Sequence, residues 1–185
     1  MTDTFDMPIK TGPQLWHHVT YSPLKKFEGQ YYDSNGTRID IKYEKGAMAA
    51  INTLSDTLRV WGSYCWSATV EESPELRLKC EAMLLPIIRM TIGLESRPDW
   101  WLRSADKLAV YAMREVRYER PPDGDNSRLS LYDNSQLSVR AGYTPGHFER
   151  DCGSQWRYLK LLLDGWCDQA AQPLEDWARE KRRAA

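Results

Sequence analysis

The chain has 185 residues, of which 42% are apolar, with 25 Lys+Arg set against 26 Asp+Glu. Length and apolar content suffice for one packed body, or for a body with a small appended module. The charge balance excludes a histone-like or strongly non-specific nucleic-acid binder, which needs a large excess of cations, and no apolar run approaches the roughly 20 residues that span a bilayer.

Residues 1–29 contain Pro8, Pro13 and Pro23 and no sustained periodicity, and read as an irregular or extended arm. Met1–Asp6 has no basic segment followed by an apolar one, so no signal peptide is expected and the protein reads as cytoplasmic. Between Tyr31 and Tyr43, Asn35-Gly36 accepts the positive φ angles of a tight turn while Ile39, Ile41 and Tyr43 alternate with polar residues. This predicts a short β-hairpin. Packing as an amphipathic ribbon over one end of a helical core explains it better than nucleic-acid contact through Lys25, Lys26, Tyr31, Arg38 and Lys42, since two strands alone rarely persist.

From Gly46 the period becomes helical. Met48, Ile51, Leu54, Leu58 and Trp61 recur every three or four residues through about Cys65. Ser73-Pro74 opens a second helix with Glu75 in its first turn, continued by Leu76, Cys80, Met83, Leu84, Ile87 and Ile88, with Pro86 inside it. Arg97-Pro98-Asp99 breaks the chain. A third helix follows over about Trp100–Tyr118, with Leu108, Tyr111, Ala112 and Glu115 marking its turns. Pro121-Pro122-Asp123-Gly124-Asp125-Asn126-Ser127 is the clearest linker.

Beyond the linker, residues 136–150 read as a helix-turn-helix. Leu137 and Ala141 share one face of a first helix, and Gly142 falls where a left-handed backbone is needed. Thr144 and Pro145 suit the N-cap and first position of a second helix. Phe148 packs back on the first helix and leaves Gly146, His147 and Arg150 outside. In DNA-binding versions of this motif the second helix enters the major groove. Cys152-Gly153-Ser154 looks like a break, with Ser154 capping a fresh helix through Trp156, Leu159 and Leu163. A last short helix is opened by Pro173, bears Leu174 and Trp177, and ends in basic residues that offset its carboxyl end.

The fold class is therefore mainly α: an N-terminal arm and β-hairpin (1–45), a helical bundle body (46–120), a linker (121–127) and a helix-turn-helix region with a C-terminal helix (128–185). Eight tryptophans, at 16, 61, 66, 100, 101, 156, 166 and 177, follow no repeat period and are expected mostly to fill the core. The four cysteines form no CxxC and the three histidines lie at no zinc-ligand spacing, so no metal is expected and the thiols read as dispersed, buried and reduced. No Gly-rich phosphate loop with Lys-Ser/Thr, GxSxG elbow or HExxH occurs, and His17-His18 has no carboxylate nearby. No catalytic residue, cofactor or small-molecule substrate is expected.

Trp61-Gly62-Ser63-Tyr64-Cys65-Trp66 at the end of the first long helix, followed by further helices and a late helix-turn-helix, resembles phage late-gene antitermination proteins of the Q type, over most of residues 46–170. The resemblance implies a factor that binds double-stranded DNA beside a promoter and meets RNA polymerase paused just downstream. It then transfers onto the enzyme near the RNA exit channel and suppresses termination. On this reading Thr144, His147 and Arg150 face the groove while Arg140, Arg157 and Lys160 meet phosphates, since Arg can bond a guanine edge bidentately and backbone contacts only fix register. Polymerase contacts fall to the arm and body, with Trp100 and Trp101 as the candidate anchor. Asp151 and the neutral charge depart from a strong DNA binder, which suits a factor that must leave DNA.

Residues 141–148 also resemble the helix-turn-helix of AraC-type activators, which makes a regulator acting only at initiation the alternative. A third reading is a protein-interaction module whose helical corner never touches nucleic acid.

Overall fold

The computed structural model describes residues 11–20, 25–27, 30–32, 38–39, 41–91, 99–122 and 130–184. The protein is mainly helical. In chain order the helices are α1 Gly12–Thr20, α2 Ile41–Asn52, α3 Asp56–Trp66, α4 Ala68–Glu72, α5 Pro74–Thr91, α6 Asp99–Glu119, α7 Asn134–Ala141 and α8 Pro145–Arg183. Between α1 and α2, three short stretches, β1 Lys25–Phe27, β2 Gln30–Tyr32 and β3 Arg38–Ile39, pair antiparallel in that order.

The first departure from the sequence reading is α1, which replaces the expected arm. Thr11 and Gln14 form a reciprocal cap: the Thr11 N–H donates to Gln14 Oε1 at 2.9 Å and the Gln14 N–H to Thr11 Oγ1 at 3.4 Å. The helix buries Leu15 and Trp16 completely. Trp16 meets Trp66 edge-to-face at 5.8 Å between ring centroids, and His17 Nδ1 donates to the Trp66 carbonyl at 3.1 Å.

The expected ribbon to Tyr43 also gives way, because Ile41 and Tyr43 lie in α2. β2 and β3 pair over only Tyr31–Ile39 and Tyr32–Arg38, and the Asn35-Gly36 turn lies outside the described residues. The single helix expected over 46–65 is two. Ser55 caps α3, its hydroxyl accepting from the Leu58 N–H, and Thr53 donates its hydroxyl to the Ala50 carbonyl at 2.7 Å. Both side chains offer the backbone partners outside a helix.

The Trp61–Trp66 hexapeptide is core. Trp61, Gly62, Tyr64, Cys65 and Trp66 are all buried, with Trp61 stacked on Tyr64 at 5.6 Å and edge-on to Trp166 at 6.1 Å. Gly62 is needed because a Cβ there would fall inside the Trp16 ring. Beside this layer, Glu81 is buried on α5, accepting from Tyr64 Oη at 3.0 Å and from Arg114 Nε and Nη2 at 2.8 and 2.9 Å. The carboxylate has a donor for each oxygen, the condition for burying it at acceptable cost. Burial, followed by the Glu81 charge, raises the Tyr64 hydroxyl well above the usual tyrosine range.

The break expected at residues 152–154 and the separate short helix expected at Pro173 are both absent: α8 runs unbroken for 39 residues. Its buried stripe, Phe148, Cys152, Trp156, Leu159, Leu163, Cys167, Ala170 and Leu174, holds three- and four-residue spacing through both supposed breaks. Pro173 removes the N–H that would reach the Gln169 carbonyl, but Gln169 is exposed and water can satisfy it. Packing of the stripe outweighs the local cost.

α8 packs on α1, α2, α3, α6 and α7, and one cluster of buried side chains runs from Leu15 to Leu174. Residues from both sides of the expected linker share it. Linker residues 123–129 lie outside the description. No helix among the described residues is long and apolar enough to cross a membrane.

Candidate nucleic-acid interface

The α7–α8 corner is built by local rules. Asp133 caps α7, its carboxylate accepting from the Gln136 N–H at 2.7 Å. Gly142 ends the helix in the left-handed region at φ 86°, where a Cβ would meet the following carbonyl. The Gly142 N–H reaches back to Val139 O at 3.1 Å and that of Tyr143 to Ser138 O at 2.8 Å, closing the orphan carbonyls. Thr144 then takes the N-cap position with extended backbone and Pro145 the first turn. Thr144 caps through its carbonyl, which accepts from the Phe148 N–H at 2.8 Å, and its side chain makes no capping bond. Leu137, Ala141, Phe148 and Cys152 are buried and fix the two helices against each other.

Thr144, Gly146, His147 and Arg150 are exposed on the outer side of this corner. Further along α8, Arg157, Tyr158 and Leu161 are exposed, Leu161 at 72%. The cations expected in the groove (Arg150) and on phosphates (Arg140, Arg157, Lys160) are present but engaged. Arg150 forks onto its neighbour Asp151 at 2.7 and 3.0 Å, and that guanidinium holds the Asp151 carboxyl below its ordinary value. Arg157 pairs with Glu149 at 2.9 Å. Lys160 lies 2.7 Å from Glu119 and 3.7 Å from Glu115, both on α6. Arg140 sits over the Tyr132 and Tyr111 rings, 5.1 and 5.6 Å from their centroids. Exposed ion pairs are weak and screened by salt, so Arg150 can exchange its carboxylate for a base edge and Arg157 its carboxylate for a phosphate.

The side chains of Trp100 and Trp101, in the first turn of α6, lie outside the described residues. Among the described residues no group of three His, Cys, Asp or Glu is placed to hold a metal ion.

Sequence reasoning placed Glu115 on a turn of the third helix but missed its role, which is to hold the corner to the body. It is fully buried on α6. It accepts from the Ser130 hydroxyl and, at 3.1 Å, from the Tyr132 N–H just before α7. Its one visible signal was a charge on the apolar side of the Leu108–Ala112 stripe. Burial raises its pKa above the usual carboxylate value of 4.5, against the lowering effect of Ser130, Lys160 and Tyr132. The folded protein therefore keeps this proton to higher pH than the unfolded chain. Folding stability contributed by the site is greatest below about 4.5 and falls as pH rises through the folded pKa. Glu115→Gln should flatten that fall. Urea unfolding midpoints from pH 4 to 7 test it, and equal slopes in both proteins would refute it.

No family model, no curated protein and no solved structure matches the chain.

Proposed function

We propose that the protein is a non-enzymatic cytoplasmic transcription antitermination factor. In this reading α7, the Gly142 turn and α8 form a helix-turn-helix that binds a promoter-proximal DNA element. The factor then loads onto paused RNA polymerase near the RNA exit channel and promotes terminator read-through. The observation that carries the DNA-binding part is the corner itself: a short helix, a left-handed glycine and a second helix capped at Thr144, with Thr144, His147 and Arg150 exposed at its start. A helix presented this way has the diameter of the major groove. The antitermination part rests on the resemblance of the Trp61–Trp66 segment and the late helix-turn-helix.

Arg150 is the proposed base reader and Asp151 its intramolecular competitor, which gives opposite expectations for neighbours. Arg150→Ala should weaken specific DNA binding about 10- to 100-fold. Asp151→Asn should strengthen it, because it frees the guanidinium and removes a charge that repels phosphate. Fluorescence anisotropy with promoter fragments from the protein's own gene neighbourhood reads both. No change in either variant would move the assignment away from α8.

The functional test is transcription by purified polymerase on a promoter–terminator template, with and without the protein. More read-through at unchanged initiation is the expected result. Altered initiation with unchanged termination would make the protein an ordinary promoter-bound regulator. One observation favours the interaction-module reading: Arg140, Arg150, Arg157 and Lys160 all have partners within the chain. Absence of any effect on transcription or DNA binding would bring that reading to the front.

A further inference from the structure

A second feature lies away from the α7–α8 corner. A cleft of about 920 Å³ opens beside α5 and α6, lined by three arginines, Arg77, Arg114 and Arg117, with one carboxylate, Glu71. Arg114 is committed to Glu81 through a two-point fork. The other two are not. Arg117 is half-buried over the Tyr64 ring at 5.5 Å, and its guanidinium has no acceptor among the described residues. Arg77 gives one nitrogen to the Glu71 carbonyl at 3.0 Å, while its Nε is buried without a partner. A buried donor left unpaired is costly, and a guanidinium has five donors arranged for an anion with several oxygens.

We infer that this cleft binds a nucleotide, its phosphates held by Arg77 and Arg117. Two forks with unspent donors exceed what one carboxylate accepts, whereas a phosphate offers three oxygens and a diphosphate more. The volume is several times that of a phosphate group and lies within the range for whole small-molecule ligands. Its remaining wall includes Leu78 and the rings of His17, Pro121, Tyr132 and the exposed Tyr118, which supply flat surfaces on which a base can stack. Glu71 on the rim favours a ligand that also presents donors, as ribose hydroxyls do. The proposed ligand contacts, Arg77 and Arg117, are distinct from the residues assigned to DNA, although Tyr132, which seats Arg140, also lines the cleft.

Isothermal titration with ADP, inorganic pyrophosphate and adenosine in metal-free buffer tests the inference on the full chain. ADP should bind more tightly than either fragment, since only ADP fills both halves of the cleft. Arg77→Gln with Arg117→Gln should weaken ADP binding at least about tenfold, whereas Arg179→Gln with Arg182→Gln, the same charge change at the far end of α8, should not. Arg117→Lys alone keeps the charge but loses the fork. It should still weaken binding several-fold, which keeps the test open if the double variant fails to fold by circular dichroism. Absence of ADP binding to the wild type, or unchanged binding in Arg117→Lys, overturns the inference. Equal binding of pyrophosphate and ADP overturns its nucleoside half.

Discussion

Trp16→Ala should destabilise the protein by about 3–5 kcal/mol, the range for removing a fully buried large aromatic. The residue is entirely buried and seals a junction of three elements: its ring fills the space left by Gly62 on α3, meets Trp66 edge-on and holds α1 to the body. Collapse into the cavity is opposed by neighbouring tryptophans, which have few rotamers to offer. Chemical denaturation should show a lower midpoint with little change in slope. A loss under about 1 kcal/mol, within the range of ordinary surface substitutions, would mean that residues 11–20 are an accessory rather than part of the core.

The second large effect is expected at the Glu81 site. Arg114→Met should cost about 2–3 kcal/mol, less than the roughly 3–5 kcal/mol for a fully enclosed pair because the Arg114 side chain is 38% exposed. The penalty arises from the Glu81 carboxylate, whose side chain is 5% exposed and would retain only the Tyr64 hydroxyl. Converting the stranded acid to an amide should then recover part of the loss. In a double-mutant cycle, Glu81→Gln added to Arg114→Met should therefore cost less than the two single changes summed. Strict additivity would show that the fork contributes little.

These two sites show where the sequence was readable and where it was not. α5, α6 and the α7–α8 corner follow from strong local signals: Ser73-Pro74, the 108–112 stripe, and Gly142 with Thr144-Pro145. α1 was missed because proline content outweighed a nine-residue helix whose Thr11–Gln14 cap was in plain view. The breaks assigned within α8 came from treating Gly153 and Pro173 as local vetoes. The stripe from Phe148 to Leu174 was the stronger fact, because burial of eight side chains outweighs two weak positions. The outward set of Thr144, His147 and Arg150 could be placed from spacing alone. The Arg150–Asp151 fork, the tyrosine seat of Arg140 and the Lys160 link to α6 depend on side-chain geometry that no spacing encodes. The Arg77–Arg117 cleft was invisible for the same reason, its arginines being contributed by separate helices.

The continuity of α8 has a mechanical side. At 39 residues it is roughly 58 Å long at 1.5 Å per residue, and its stripe is clamped along much of that length by α1, α2, α3 and α6. Such a rod cannot bend locally to suit a ligand at its amino end without disturbing its grip on the body. A tilt of about 5° about its middle would carry each tip by roughly 2–3 Å for a rod of that length. If the proposed DNA contact tilted the Thr144–Arg150 end, the Trp177 end would move the opposite way, where Trp177 lies against Gly46 of α2. In that event the long helix would work as a balance beam with its fulcrum where Trp166 meets Trp61.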